Sequence, residues 1–316
     1  MVKKIIHCIY PAIMLLFLCP KASAQFDVHF NQYWNMQGYY NPAWAGQTNK
    51  LNVTGVFSMQ LMGFTNAPKT IYFGADLPFS FLNRKHGGGI GFLKESIGLF
   101  RNQQVWGQYA YKKRIGKGLL GIGVQAGMAS VSFDPENINL GEETEDEAFP
   151  NTQESGSGFD LGLGLHYSAP NYYLGLSAQH LTSPRIELGE NSRIKISPMV
   201  YFTGGYNIQT RNPLISIQPS VHLQSDFVLT RLDFTGRVSY TYNEKIFSGA
   251  VSYSPDTSVS LFLGATIRGI KVGYVYEMFT SKVGASNGSH DLLVSYATDI
   301  NWFKKNKNKH KSIRIL

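Results

Sequence analysis

From residue 51 to residue 300 the chain alternates apolar and polar residues with a period of two, and this pattern recurs about fourteen times. In 159–167, Phe159, Leu161, Leu163, Leu165 and Tyr167 fall on one side, while Asp160, Gly162, Gly164 and His166 fall on the other. In 213–224, Ile215, Ile217, Val221 and Leu223 alternate with Ser216, Gln218, Ser220, His222 and Gln224. Successive side chains of a strand point to opposite faces, so each such stretch reads as a two-faced strand. Comparable stretches lie near 51–63, 70–77, 88–95, 100–112, 118–131, 172–181, 198–209, 231–242, 245–254, 258–268, 270–279 and 290–300. Most are about 9–11 residues long, the length a tilted strand needs to cross a bilayer. No apolar run reaches the 18 residues of a membrane-spanning helix.

Alternation alone also fits a soluble or secreted sandwich. Three features favour a membrane barrel instead. The polar face carries Gly, Ser, Thr, Gln, Asp and His rather than core aliphatics, so the apolar face must meet something outside the sheet. Aromatics cluster toward strand ends at Tyr72–Phe73, Tyr109–Tyr111, Tyr172–Tyr173, Tyr240–Tyr242 and Trp302–Phe303, as an interfacial girdle requires. Connections alternate between very short ones (169–171, 210–212, 243–244, 269) and long ones (132–157, 182–197, 225–230, 280–289). The expected fold is therefore all-β, a transmembrane antiparallel up-and-down β-barrel of about 14 strands. An even count places both termini at the short-turn, periplasmic end.

The first 24 residues read as an export signal. Lys3 and Lys4 precede an apolar stretch from Ile5 to Leu18, which ends in Ala22-Ser23-Ala24. That stretch is short for a membrane anchor, and Leu18 and Pro20 around Cys19 fit a lipobox poorly. Cleavage after Ala24 would remove both cysteines, Cys8 and Cys19, and with them any disulfide, thiolate metal site or Cys nucleophile. The leader holds three of the 29 basic residues and the tail 304–316 six more, which leaves 20 bases against 21 acids in between. The net charge of +8 thus belongs to the two ends, and a nucleic-acid partner is not expected. The expected divisions are a signal peptide (1–24), an N-terminal plug or docking segment (25–49), the barrel (50–303) and a basic periplasmic tail (304–316).

No constellation in the sequence supports catalysis. Ser289, His290 and Asp291 in "SNGSHD" are faintly similar to the constellation of a barrel phospholipase, but neighbours in a strand face opposite ways, so a Ser289–His290 pair is not expected. The loop 132–157 carries eight acids and no base, Glu142, Glu143, Glu145, Asp146 and Glu147 among them. It lacks an EF-type glycine and reads as an external acidic surface loop. Gly87–Gly89 lacks a phosphate-loop Lys and reads as a turn and bulge before a strand. No catalytic residue, metal or cofactor is expected.

"QGYYNPAWAGQTNK" (37–50) is unusual ahead of a first strand. Asn41–Pro42 favours a fixed turn, Gly46 allows close approach or a left-handed bend, and three large aromatics around such a turn would expose an apolar patch in water. The segment is expected to pack at the periplasmic end of the barrel, as a plug or against a partner; plain interfacial anchoring is the alternative. Tyr33, Tyr39, Tyr40, Asn41, Pro42, Trp44 and Gly46 are the candidate partner-binding residues.

The same stretch resembles the start of the PorP/SprF family of type IX secretion system outer-membrane proteins. Gln32–Tyr33, Tyr40–Gly46, Gln60, Gly63–Phe64 and Ala67–Thr70 carry the likeness, with Leu61 where the family has an aromatic. "YYLGLSAQHLTSP" (172–184), "IQPSVHLQ" (217–224), "VGYVYEM" (272–278) and "GSHDLLVSY" (288–296) extend it along the chain. The resemblance implies a non-enzymatic barrel of a Gram-negative outer membrane. It implies as partners lipid, periplasmic and outer-membrane secretion components, and a co-secreted surface adhesin or C-terminal-signal cargo. A passive diffusion porin is the alternative, and a barrel hydrolase a more remote one.

Overall fold

The computed structural model describes residues 27–134, 153–189, 192–281 and 287–300. Strands β1 (Lys50–Met59), β2 (Lys69–Phe81), β3 (Arg84–Ile97), β4 (Phe100–Ile115), β5 (Gly118–Phe133), β6 (Glu154–Ser168) and β7 (Tyr172–Gln179) form the first half of the chain's sheet. A small hairpin follows, β8 (Arg185–Leu188) with β9 (Ser192–Lys195). The second half comprises β10 (Met199–Tyr206), a two-residue β11 (Ile208–Gln209), β12 (Ile215–Ser225), β13 (Thr230–Tyr242), β14 (Lys245–Ser254), β15 (Ser258–Ile267), β16 (Ile270–Phe279) and β17 (Ser289–Asp299).

Each long strand pairs antiparallel with its neighbours, and the ring closes. β1 pairs with β17, with Lys50 opposite Asp299, and β10 pairs with β12, with Thr203 opposite His222. Leaving aside β11, which pairs with β12 alone, and the separate β8–β9 hairpin, fourteen strands make a closed antiparallel barrel. Closure matters because lipid offers no partner to an open strand edge. No described helix is long and apolar enough to cross a membrane, so the strands do the crossing.

The period of two becomes an outside and an inside. On β6, Phe159, Leu161, Leu163 and Leu165 are exposed outward, while Asp160 and His166 are buried in the lumen. The same outward row continues as Ile122, Val124 and Met128 on β5 and Leu174 and Leu176 on β7. Two-residue turns at Leu82–Asn83, Asn243–Glu244 and Arg268–Gly269 have positive φ at both positions, the twist that matches flanking antiparallel strands. They lie at one end of the barrel with the 116–117 and 169–171 turns and the 207–214 connection. The strand ends that the long links join, Met59 and Lys69, Phe133 and Glu154, Gln179 and Met199, and Phe279 and Ser289, lie at the other, with the tight connections 98–99, 226–229 and 255–257 between them.

Four details differ from the sequence reading. β1 ends at Met59, and 60–63 belongs to a loop in which Leu61 and Gly63 take positive φ. The link 182–197 contains the β8–β9 hairpin, whose Ile186 and Leu188 pack on Ala129, Val131 and Phe133 inside the long-loop mouth. Gly87–Gly89 lies within β3, not in a turn before it. Tyr72 is not a girdle residue; it points inward and is buried, whereas Phe73 beside it faces out. The leader, the acids Glu142, Glu143, Glu145, Asp146 and Glu147, Trp302–Phe303 and the basic tail lie outside the described residues.

Candidate functional site

The lumen is occupied by the chain's own residues 27–49. Asp27 sits at the long-loop end, where its carboxylate meets His180 and Tyr201 and its carbonyl accepts from Gln224. Asn35 reaches Lys271 near the start of β16, and Gly46 reaches Asp76 near the other mouth. The segment therefore runs through the barrel from end to end. The Asn41–Gly46 turn lies toward the short-turn mouth, and the residues ahead of it continue up to the opposite mouth.

The segment is irregular, with one helical turn (Gln37–Tyr40) between two short 3-10 turns (Tyr33–Asn35 and Pro42–Trp44). Most of its backbone groups consequently need partners from outside the segment. The inward polar residues of the wall supply them. Gln108 donates to the Gly38 carbonyl at 2.8 Å, Gln179 to Tyr39 at 2.7 Å and Ser177 to Tyr40 at 2.6 Å. Lys112 donates to the Ala43 carbonyl and to Gln47 Oε1, and the Gly46 amide donates to Asp76 at 2.9 Å. Asn41 is extended, as the residue before a proline prefers. Its side chain accepts from the Ala43 amide and donates to the Leu165 carbonyl at 2.8 Å.

Around this polar scaffold the aromatics form a core. Tyr39 meets Phe30 edge-on at 5.1 Å and Tyr40 at 4.9 Å, and it contacts Tyr72 at 5.6 Å. His222 lies between Tyr33, stacked at 4.9 Å, and Tyr40 at 4.5 Å. Trp34 stands edge-on to Phe262 at 5.3 Å, and Trp44 edge-on to His166 at 4.9 Å. Edge-to-face pairs at such spacings are favourable beyond their burial alone.

Of the candidate partner-binding residues, Tyr33, Tyr39, Tyr40, Asn41 and Pro42 are buried against the wall in this conformation; Trp44 is half-buried. Gly46 has φ +63°, and a Cβ there would lie 2.6 Å from the Gly87 Cα. The structure brings all seven together, but in the lumen rather than in bulk water: Tyr33 and Tyr40 meet His222 on β12, Tyr39 meets Tyr72 on β2, Asn41 and Trp44 meet β6, Pro42 meets Gly123 on β5 and Gly46 meets Gly87 on β3.

Two charged clusters hold the upper part of the segment. Asn31 accepts nothing from Asp291 but donates to it through its amide at 3.1 Å, and its side chain donates to Glu277 at 3.0 Å. Arg231 bonds Glu277 at 2.9 Å and Asp233 at 3.1 Å. Just past β7, His180 presents Nδ1 to Asp160 at 2.7 Å and Nε2 to Asp27 at 3.4 Å. Both ring nitrogens face carboxylates, so both carry protons. Burial alone would lower the His180 pKa, but hydrogen bonds to Asp160 and Asp27 push it up to about 10. Burial likewise opposes ionisation of Asp27, yet the hydrogen bond and charge of His180 hold it below the usual carboxylate value.

Sequence reasoning did not find Asp27, His180, Tyr201, Tyr72 or Arg231. One pattern does mark the lower contact, at Asn41–Ala43. Inward glycines on adjacent strands mark where the segment presses on the wall: a Cβ on Gly123 would lie 2.2 Å from the Ala43 amide nitrogen, and one on Gly164 2.1 Å from the Asn41 Oδ1. Ser289 and His290 lie on opposite faces, Ser289 accepting from the Leu61 amide and His290 pairing with the Tyr274 hydroxyl at 2.6 Å. His222 is a lumen residue, and Asp226 accepts from the amides of Val228 and Leu229 in the 226–229 turn.

Among solved structures the barrel resembles the CymD monoaromatic hydrocarbon channel, with TM-score 0.50, 12% identity, and coverage of 87% of this chain and 95% of that one. It also matches the toluene transporter TodX of P. putida, with TM-score 0.47 and 9% identity over 82% and 92% of the two chains. At these identities the likeness concerns the fold alone. No curated protein matches the sequence. The description "type IX secretion system membrane protein PorP/SprF" matches residues 22–296. The chain belongs to that family, and is an outer-membrane β-barrel of the type IX secretion system.

Proposed function

We propose that this barrel is a non-enzymatic adaptor or anchor that helps export and display a co-secreted surface protein. The long links 134–153 and 180–198 would face outward to the cargo, and the short-turn end would face periplasmic machinery. The observation that carries this reading is a lumen occupied from end to end by the chain's own residues 27–49. A fourteen-strand ring has room for a passage, since about 8 strands are filled by side chains and about 16–18 give an aqueous pore. Here residues 27–49 take that room and are hydrogen-bonded to the wall along their length. A passive porin would leave it open.

Affinity purification from detergent-solubilised outer membranes tests the proposal. Secretion components and one large surface protein are expected to co-purify. Deletion of the gene with every large surface adhesin still exported and displayed would refute it. A large, steady current from the full-length barrel in a planar bilayer would favour the porin instead.

A further inference from the structure

Beneath Trp34 and Asn35, toward the short-turn mouth, the N-terminal segment does not fill the barrel. A cavity of about 210 Å³ remains between it and the wall of β12 to β16. A second, of about 200 Å³, extends to the 169–171 turn. Arg237 and Gln218 line both, so the two cavities adjoin at these residues, one reaching the 169–171 turn and the other the underside of Trp34. Hydroxyl and amide groups line it, including Ser216, Ser239 and Ser248.

Two cations face this space. The Arg237 guanidinium lies over the Trp34 ring, 5.5 Å from its centroid, and its Nε is buried and meets no acceptor. The Lys271 ammonium donates to the Asn35 side chain at 3.0 Å. Neither forms an ion pair with a described carboxylate, and no carboxylate lines either cavity. Asp76, across the segment, lines a neighbouring cavity that Lys271 also borders, but it is engaged by the Gly46 amide and by Asn52. Lys112, a buried cation of this half, is engaged by Ala43 and Gln47. The contrast with the long-loop end is sharp, because Arg231 there is held by Asp233 and Glu277.

An uncompensated charge inside a barrel is costly unless an opposite charge completes it. A guanidinium fork is suited to a planar or tetrahedral oxyanion, and hydroxyl donors around it add directed hydrogen bonds. We infer that the Arg237–Lys271 chamber is a binding site for an anionic group, a carboxylate or phosphate, on a molecule entering from the short-turn mouth. The site stands independently of the adaptor reading, since it requires only the barrel and its lumen segment.

The probes are inorganic phosphate and propionate, each titrated into the full-length barrel in detergent against chloride at matched ionic strength. Tryptophan emission, compared between wild type and Trp34→Phe to isolate Trp34 from the other three tryptophans, reports on the chamber, and the thermal unfolding midpoint reports on ligand-linked stability. A saturable change in both is expected with phosphate, propionate or both, and the pattern identifies the preferred oxyanion. Arg237→Gln and Lys271→Gln should each weaken that response at least tenfold, while Lys113→Gln on the surface leaves it intact. Arg237→Gln should unfold no earlier than wild type without anion, because it removes a lone charge; a merely structural arginine would give the opposite. Should the glutamine variant not assemble, Arg237→Lys keeps the charge without the fork and should still weaken phosphate binding. A response equal to that of chloride, or one that survives both substitutions, would overturn the inference.

Discussion

Gly46 and Gly87 meet backbone to backbone: a Cβ on Gly46 would lie 2.6 Å from the Gly87 Cα, and one on Gly87 would lie 1.9 Å from the Ala45 carbonyl oxygen. No side chain fits between the end of the lumen segment and β3. Gly87→Ala should therefore displace residues 45–46 and weaken the Gly46 amide bond to Asp76. Overpacking of this kind costs about 1–3 kcal/mol. The expected result is a lowered thermal midpoint of the folded barrel, with Gly98→Ala, which meets nothing within 4 Å but has φ +58°, giving a smaller loss from backbone strain alone.

Removing the segment should open the barrel. With residues 27–46 deleted, the ring of fourteen strands keeps its pairings, since β1 begins at Lys50. Planar-bilayer recordings should show a steady open-channel current absent from the full-length protein. Tyr40→Ala tests the same packing more gently. Truncating a buried aromatic costs about 3–5 kcal/mol, and here the Tyr40 hydroxyl's bond from the Phe30 amide is lost as well. An unchanged thermal midpoint would mean that the aromatic core does not hold the segment.

The barrel itself was legible because lipid imposes the alternation directly. Leu161, Leu163 and Leu165 must face acyl chains whatever lies inside, so their spacing alone identifies β6. The lumen was not legible in that way. Gln108, Ser177 and Gln179 read as pore-lining polar residues, yet they serve the carbonyls of an irregular segment more than 60 residues away in sequence. Tyr72 carries no mark that separates an inward aromatic from an interfacial one, because both occur near strand ends. His180 and Asp27 meet across 153 positions of sequence, a pairing that no local pattern encodes.

The His180 contacts make the upper attachment of the segment pH-dependent. His180 is pushed up to about 10 from 6.5, so its contribution is fully present below about 6.5 and is lost as pH rises through about 10. Asp27 is held below 3.8, so its contribution is present above that value and is lost as pH falls through its lower folded value. The attachment should be tightest between about pH 4 and 6.5 and should loosen on the alkaline side. Hydrogen exchange at the Val28 and Phe30 amides measures this, with exchange corrected for its intrinsic pH dependence. Protection should fall between pH 7 and 10 in wild type, and His180→Gln should have low protection throughout that range. A flat wild-type profile would show that the imidazolium does not fasten Asp27.

The proposed orientation can be read by cysteine labelling, because both native cysteines, Cys8 and Cys19, lie ahead of the expected cleavage site. Val228 is exposed in the 226–229 turn at the long-loop end, and Lys117 is exposed in the 116–117 turn at the other. With long loops outward, a membrane-impermeant maleimide should label Val228→Cys on intact cells. It should label Lys117→Cys only after the outer membrane is opened. That same orientation puts Asp27 at the outer mouth and Lys50 and Asp299 at the periplasmic one, so the lumen segment would cross the full thickness of the membrane inside its own barrel. The reverse labelling pattern would place the Arg237–Lys271 chamber at the cell surface, and the cargo would then have to meet the short turns rather than the long links.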